Sequence, residues 1–325
     1  MSRLATALSS RAPLPQLIEL AKFVEGLGYD RIWLPEISGR DAFVTAAILA
    51  TQTQTIGVGL GVIALPSRPL PALEMAAATL AESAPGRVAV GLGAGHRETA
   101  APQFGWRGPA SPDEVGEAVF AIRAALRSST LHHYGAEGES CVLKLRGQHI
   151  EVPPQFFVGA LRPRMVKIAA GIADGMLLNW VTEARAARLC ALAGEVARGR
   201  MFTTAAYIPV CVVDRPKDRD RAYRKVASQL SSYLQLSAYG DPLADDGYAD
   251  DVQTVREARR HGRDASAAVS ERLIQAVAMI GDADEIRARI RGLRAAGIDE
   301  PVLAPVTIGR DSASSLLSTL TALAE

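Results

Sequence analysis

Aromatic side chains are scarce in this chain: Phe, Trp and Tyr together make up 5% of it, so no obvious stacking cage hints at a ligand. Cysteine is scarcer still. Cys141, Cys190 and Cys211 are scattered without Cys-x-x-Cys spacing, and an odd, unpatterned set argues against a disulfide scaffold and for a reducing compartment. Neither sign of charge is in excess, with 36 Lys and Arg against 35 Asp and Glu and no long like-charge run, so electrostatics imply no nucleic-acid partner. No stretch approaches the roughly 18 apolar residues of a membrane span, and the first residues lack the apolar core of a secretion signal. The expectation is a soluble, cytoplasmic protein with no membrane partner. Apolar residues are plentiful: at 48% of 325 residues they suffice for a large core, either one α/β barrel or two smaller domains.

Strand-like and helix-like patterns alternate along the chain, the signature of a parallel sheet with crossover helices. A short strand near Arg3 to Leu8 precedes a helix carrying Leu17, Ile18, Ala21, Val24 and Leu27, and Tyr29 to Pro35 returns to strand. Asp41 is placed to cap the helix of Phe43, Val44, Ala47 and Ile48. A further helix spans Ala72 to Ala81. Ser111-Pro112-Asp113-Glu114 combines a capping serine, proline at the first helical position and glutamate three residues after the cap, so a helix runs from there to about Arg127. Later strands are expected at Phe156 to Ala160, Met176 to Trp180, Ala206 to Val212 and Pro301 to Val306, with helices starting near Pro163, Thr182, Pro216 and Asp282. About eight strands and eight helices make a single (β/α)8 barrel spanning residues 1–325. Two stretches interrupt the alternation. Ser128 to Pro154 is read as an excursion with a hairpin around Cys141 to Ile150, and Ala238 to Asp264 as a polar insertion or mobile lid.

Two strands are faced with glycine. Gly57, Gly59 and Gly61 share one face of the first, with Val58, Leu60 and Val62 opposite, and Gly91, Gly93 and Gly95 share one face of the second. Glycine inside a strand marks a bulge or a close approach of ligand or backbone. The expectation is therefore a flat floor for a planar ring, against the alternative that the glycines only relieve crowding in a curved sheet. Barrel sites lie just after the strands. That rule selects Glu36, Gly61 with Val62, His96, Gly159 with Arg162, Asn179 with Trp180, and Asp214. Gly91-Leu-Gly-Ala-Gly lacks the dinucleotide fingerprint, and His132-His133 has no third ligand at useful spacing, so no metal is assigned.

Tyr29-Asp30-Arg31-Ile32-Trp33-Leu34-Pro35-Glu36, Thr55 to Val62, Ser83-Ala84-Pro85-Gly86-Arg87 leading into Gly91 to Gly95, and Ile172-Ala173-Asp174-Gly175 resemble the signatures of the bacterial luciferase-like superfamily. Gly39-Arg40-Asp41, Gly59 to Arg68 and Gly159 to Met165 are similar to its methylenetetrahydromethanopterin reductase-like branch. The resemblance implies a (β/α)8 barrel, usually a homodimer, that binds the deazaflavin coenzyme F420 or, alternatively, FMN. It implies a bulge with a non-prolyl cis peptide at Gly61-Val62 behind the ring. Cofactor contacts are implied at Gly61, Val62, Ala94, Gly95, Gly159, Ala160 and Asn179, with Arg162 or Arg164 toward the anionic side. The chain departs from the pattern at His96, where the branch has an acidic residue, and at Glu36-Ile37, where it has Asp-His.

Hydride chemistry on a small organic substrate also needs a proton donor. His96, with an ordinary pKa of about 6.5, and Glu36, beside an apolar floor, are the two candidates. The function implied is an F420-dependent oxidoreductase acting on a C=N or C=C bond. The rivals are an FMN-dependent monooxygenase on the same barrel and a flavin-binding protein without catalysis.

Overall fold

Side-chain caps set several helix starts where the sequence places them. Asp41 accepts from Val44 N at 2.9 Å, and Ser111 with Glu114 and Asp282 with Glu285 each close a complete capping box. The computed structural model describes residues 3–8, 12–98, 105–106, 108–134, 138–147, 149–213, 215–309 and 312–324, so Asp214 lies outside the described residues. In chain order the elements are β1 (Ala5–Ala7), α1 (Leu14–Gly26), β2 (Arg31–Leu34), α2 (Ala42–Gln52), β3 (Gly57–Ala64), α3 (Leu70–Ser83), β4 (Val88–Gly93) and α4 (Pro112–Ser128). There follow β5 (Thr130–Tyr134), β6 (Ser140–Lys144), β7 (Gln155–Gly159), α5 (Pro163–Ile172), β8 (Gly175–Asn179), α6 (Glu183–Ala197), β9 (Thr203–Val212) and α7 (Pro216–Tyr233). The chain continues with α8 (Ser237–Leu243), α9 (Ala249–Arg260), α10 (Glu271–Val277), β10 (Met279–Gly281), α11 (Ala283–Ala295), β11 (Glu300–Pro305) and α12 (Ser312–Leu323). The parallel strands β1, β2, β3, β4, β7, β8, β9 and β11 form a closed (β/α)8 barrel.

The chain divides into two compact units, residues 8–177 with 193–203, and residues 1–7 with 178–192 and 204–325. In the first, β2, β3, β4 and β7 pair in that order and β7 pairs with the start of β8. Although β3 and β4 separate β2 from β7, the rings of Trp33 and Phe157 lie 5.1 Å apart edge to face, so they meet across the inside of the curved sheet. Glycine makes the room. A Cβ on Gly59 would come within 2.5 Å of the Trp33 ring, and one on Gly175 within 2.4 Å of Phe157. Below them Arg31 lies over both rings and donates to Gln155 Oε1 at 2.6 Å.

The motif residues at the closed end of the barrel do structural work. Arg87 donates to Ala50 O at 2.7 Å and Ile56 O at 3.0 Å, holding the end of α2 to the start of β3. Asp174 accepts from Phe156 N at 2.8 Å and from Arg123.

In the other unit β9 pairs with β10 and β11, and β11 with β1. Two stretches take definite form here. The insertion or lid read at Ala238 to Asp264 is helical: α8 and α9 pack Leu243, Val252, Val255 and Ala258 into a cluster with Leu230 and Leu273. Apolar residues three apart on a charged helix form a narrow seam that composition hides. The hairpin pairs β5 with β6, Thr130 opposite Lys144 and Tyr134 opposite Ser140, rather than spanning Cys141 to Ile150. Its first strand is the polar run after α4, and His132 and His133 lie opposite Val142 and Cys141 on it.

Glu74 on α3 is fully buried, and neither carboxylate oxygen has a hydrogen-bond partner among the described residues; burial pushes its pKa up to about 7. A folded-state pKa above the ordinary value of 4.5 means that the folded protein holds the proton longer. Stability therefore falls as pH rises between those two values. Glu74→Gln is expected to remove that slope and to be the more stable chain at pH 8, read by urea denaturation at several pH values. An unchanged slope would refute it.

The barrel packing also makes a prediction. Gly59→Ala is expected to cost about 1–3 kcal/mol by overpacking against Trp33. In a Trp33→Leu background the same substitution is expected to cost much less; equal penalties in both backgrounds would contradict the contact.

Candidate active site

At the C-terminal ends of β3, β4 and β7 the buried strands give way to half-buried small residues. Gly61, Val62 and Ala64 lie at the end of β3, Ala94, Gly95 and His96 after β4, and Gly159 at the end of β7. The register slips between these strands: Leu60 stands opposite Val90 but Ile63 opposite Leu92, so β3 carries one extra residue. The peptide bond Gly61-Val62 within this bulge is cis, at the position expected from the resemblance.

The extra residue changes the reading of the glycine faces. Strict alternation puts Val62 with Val58 and Leu60, away from the glycines. The bulge turns it onto their side instead. A Cβ on Gly91 would lie 2.5 Å from Leu60 O and 3.0 Å from Val62 Cγ1, one on Gly93 2.7 Å from Val62 Cγ2, and one on Gly159 3.4 Å from Val62 Cγ1. The bare floor expected over Gly91 and Gly93 is therefore filled by Val62, and that over Gly59 by Trp33. These glycines relieve crowding within the barrel. What stays small at the mouth is the strip from Gly61 and Val62 across Ala94 and Gly95 to Gly159. Gly95 has φ +78°, a backbone conformation that favours glycine.

Glu36 has a definite occupation. Arg68 donates to both its oxygens, Nη1 to Oε1 at 2.6 Å and Nη2 to Oε2 at 2.8 Å, and Ala42 N donates to Oε2 at 2.9 Å. Arg68 also pairs with Asp41 and lies 5.5 Å over the Phe43 ring. The hydrogen bonds to Glu36, and then those to Asp41, raise the guanidinium's pKa against the cost of burial. Bidentate arginine pairing of this kind fixes geometry as well as charge. Glu36 thus ties the end of β2 to the start of α2 and to the segment after β3. His96 is different: burial lowers its pKa, and the negative charge of Glu98 only partly opposes that.

After β7 the chain turns into α5. Ala160 N donates to Leu177 O at 3.0 Å, so this amide is committed to the barrel. The first helical bond runs from Val166 N to Arg162 O, which leaves the amides of Arg164 and Met165 ahead of it. Arg162 is exposed, and Arg164 pairs with Asp113 on α4.

Asn179 and Trp180 belong to the other unit, at the end of β8. Asn179 Nδ2 donates to Tyr239 OH at 3.4 Å, and Trp180 holds φ +52°. Tyr233 packs 5.4 Å from the Trp180 ring and 4.8 Å from Tyr239. This aromatic cluster escaped the sequence reading because its members come from β8, α7 and α8; only the pair Asn179-Trp180 signalled it.

The ion-pair geometry predicts that Arg68→Gln destabilises the protein by about 1–3 kcal/mol, the range for hydrogen bonds to charged groups. Glu36→Gln is then expected to cost less in that background than alone, measured by a urea double-mutant cycle; additive losses would deny the coupling.

Comparison with known proteins agrees with this architecture. The family model described as luciferase-like monooxygenase matches residues 1–300. The chain is 29% identical over 314 residues to 5,10-methylenetetrahydromethanopterin reductase of Archaeoglobus fulgidus, covering 91% of this chain and 90% of that protein. Among solved structures it resembles the coenzyme F420-dependent tetrahydromethanopterin reductase of Methanopyrus kandleri, with a TM-score of 0.80 at 20% identity over 100% of this chain and 97% of that one. It also resembles the oxygenating constituent of 3,6-diketocamphane monooxygenase of Pseudomonas putida, solved with FMN, with a TM-score of 0.71 at 16% identity over 100% and 97%. With the family model spanning most of its length, the chain belongs to the luciferase-like family.

Proposed function

We propose that the protein is a coenzyme F420-dependent oxidoreductase that transfers a hydride between the reduced deazaflavin and a C=N or C=C bond of a small organic molecule. One observation carries the proposal: the strip of half-buried small residues across β3, β4 and β7, backed by the Gly61-Val62 bulge, suits a flat ring and has an exposed helix start beside it. The name of the Archaeoglobus fulgidus relative, a reductase, supports reduction of the substrate as the direction. The solved neighbour with FMN keeps an FMN-dependent monooxygenase as the second reading, since the strip is equally flat for an isoalloxazine.

The residues present fit such a group. Gly61, Val62, Ala94 and Gly95 offer the ring a surface without long side chains, and Gly159 continues it. The amides of Arg164 and Met165 at the start of α5, with the Arg162 side chain, suit the anionic side of the cofactor. The deazaflavin supplies the hydride when bound. His96 in its charged form gives the substrate the proton it needs, and burial of its ring disfavours that form before the proton is passed on. Glu36 positions Arg68 and α2, since the Arg68 guanidinium engages both its oxygens and Ala42 N one of them. A homodimer belongs to the same proposal, supported by the exposed apolar side chains of Val44, Met75 and Phe120 on α2, α3 and α4.

The test is turnover with a working substrate across pH. If charged His96 is the acid, the rate declines as pH rises through its pKa, and because burial lowers that pKa the decline is expected below the ordinary histidine value of about 6.5. His96→Asn is expected to lose about 10²-fold in turnover together with that limb, while Glu36→Gln keeps it. A normal rate and pH profile in His96→Asn would overturn the assignment.

A further inference from the structure

The unit built on β9, β10 and β11 carries a cavity of about 500 Å³ on its helical side, lined among others by Arg219 and Tyr223 of α7, Ile274 and Gln275 of α10, and Arg289 of α11. Its base is apolar: Ile274, Ala278, Ile280 and Ile286 are each at least nine-tenths buried. Its edge is polar, with Arg219, Gln275, Glu285 and Arg289 exposed. An apolar base with a few convergent polar groups is the usual form of a small-ligand site.

Neither Arg219 nor Arg289 forms an ion pair among the described residues. Arg289 is instead held by two neutral carbonyls, donating from Nη1 to Ala278 O at 2.7 Å and from Nη2 to Gln275 O at 2.6 Å. Its guanidinium is thereby fixed, and with five N–H donors it has three left over. Arg219 is stacked 5.9 Å over the Tyr223 ring, whose hydroxyl accepts from Gln275 Nε2 at 3.3 Å. The one acidic lining residue, Glu285, is engaged in the cap of α11, accepting from Asp282 N at 3.2 Å. Glu271 and Glu183 lie within electrostatic reach of Arg219 and Arg289 but outside the lining, and Glu271 accepts from Gln275 Nε2 at 2.9 Å, so what the cavity offers an anion is the unused N–H donors of the two guanidiniums rather than an excess of charge.

We propose that this cavity is a second ligand site, which takes a small monocarboxylate with an apolar body. The carboxylate lies between Arg219 and Arg289, where planar forks match its two oxygens, and the body covers Ile274, Ala278, Ile280 and Ile286. The carboxylates of Glu285, Glu271 and Glu183 near the two arginines disfavour a multiply charged phosphate relative to a monoanion, and the buried aliphatic base favours an acid with a ring or short chain over formate-sized ions. The site is separate from the cofactor proposal and does not rest on it.

Isothermal titration of the full chain with benzoate, and with benzamide as its neutral counterpart, tests the site. Benzoate is expected to saturate, to bind more tightly than benzamide, and to lose about tenfold in affinity in Arg219→Gln, an exposed position whose change leaves the fold intact. Arg289→Lys keeps the charge but not the fork, and is expected to weaken benzoate while its melting temperature shows whether the two carbonyls are still held. Absence of saturable benzoate binding, or equal binding of benzoate and benzamide, or affinity unchanged in Arg219→Gln, would each overturn the proposal.

Discussion

A narrow closed sheet has room inside for only a few large side chains, and that constraint organises this protein. Trp33 and Phe157 fill the middle of one arc, so Gly59 and Gly175 must have no side chain beneath them. One layer higher Val62 takes the same part, and Gly91, Gly93 and Gly159 give way to it. Val62 reaches that layer only because β3 carries an extra residue there. The barrel's packing and the shape of its mouth are thus set by one bulge: below it the interior is closed, above it only small residues remain.

Polar groups at the two ends of the strands divide their work accordingly. At the closed end Arg87 and Asp174 spend their hydrogen bonds on backbone, which is how a family motif can be structural rather than chemical. At the open end Glu36 and Asp41 share the one guanidinium of Arg68 and brace α2, while His96 after β4 has its charged form disfavoured by burial. A site beside a flat apolar strip needs such rigid bracing, because a ring without polar handles is oriented by shape.

Much of this was legible in the sequence where local rules govern. Asp41, Ser111 and Asp282 cap their helices through bonds three residues away, and such spacing is readable in one dimension. The cis bond was legible only through family resemblance, since nothing in Gly61-Val62 alone demands it. What stayed hidden depended on distance along the chain or on a change of phase. Glu36 meets Arg68 across 32 residues, so its commitment could not be read from Pro35-Glu36-Ile37. Val62 was assigned to the wrong face because alternation cannot reveal an inserted residue. The helices of the supposed lid were masked by their charge, and Gly247 with φ +94° breaks their periodicity between α8 and α9.

The central claim is that the small-residue strip across β3, β4 and β7 holds the deazaflavin. Parallel fluorescence titrations of the purified protein with coenzyme F420 and with FMN test it most directly, repeated on an Ala94→Val variant. Ala94 is chosen because it is a half-buried member of the strip whose backbone is not left-handed, so a larger side chain there brings no backbone strain of the kind that Gly95 would. The account predicts saturable binding of F420, weaker binding of FMN, and loss of F420 binding in the variant with a cooperative unfolding transition retained. Tight FMN binding with none of F420, or undiminished F420 affinity in Ala94→Val, would contradict it.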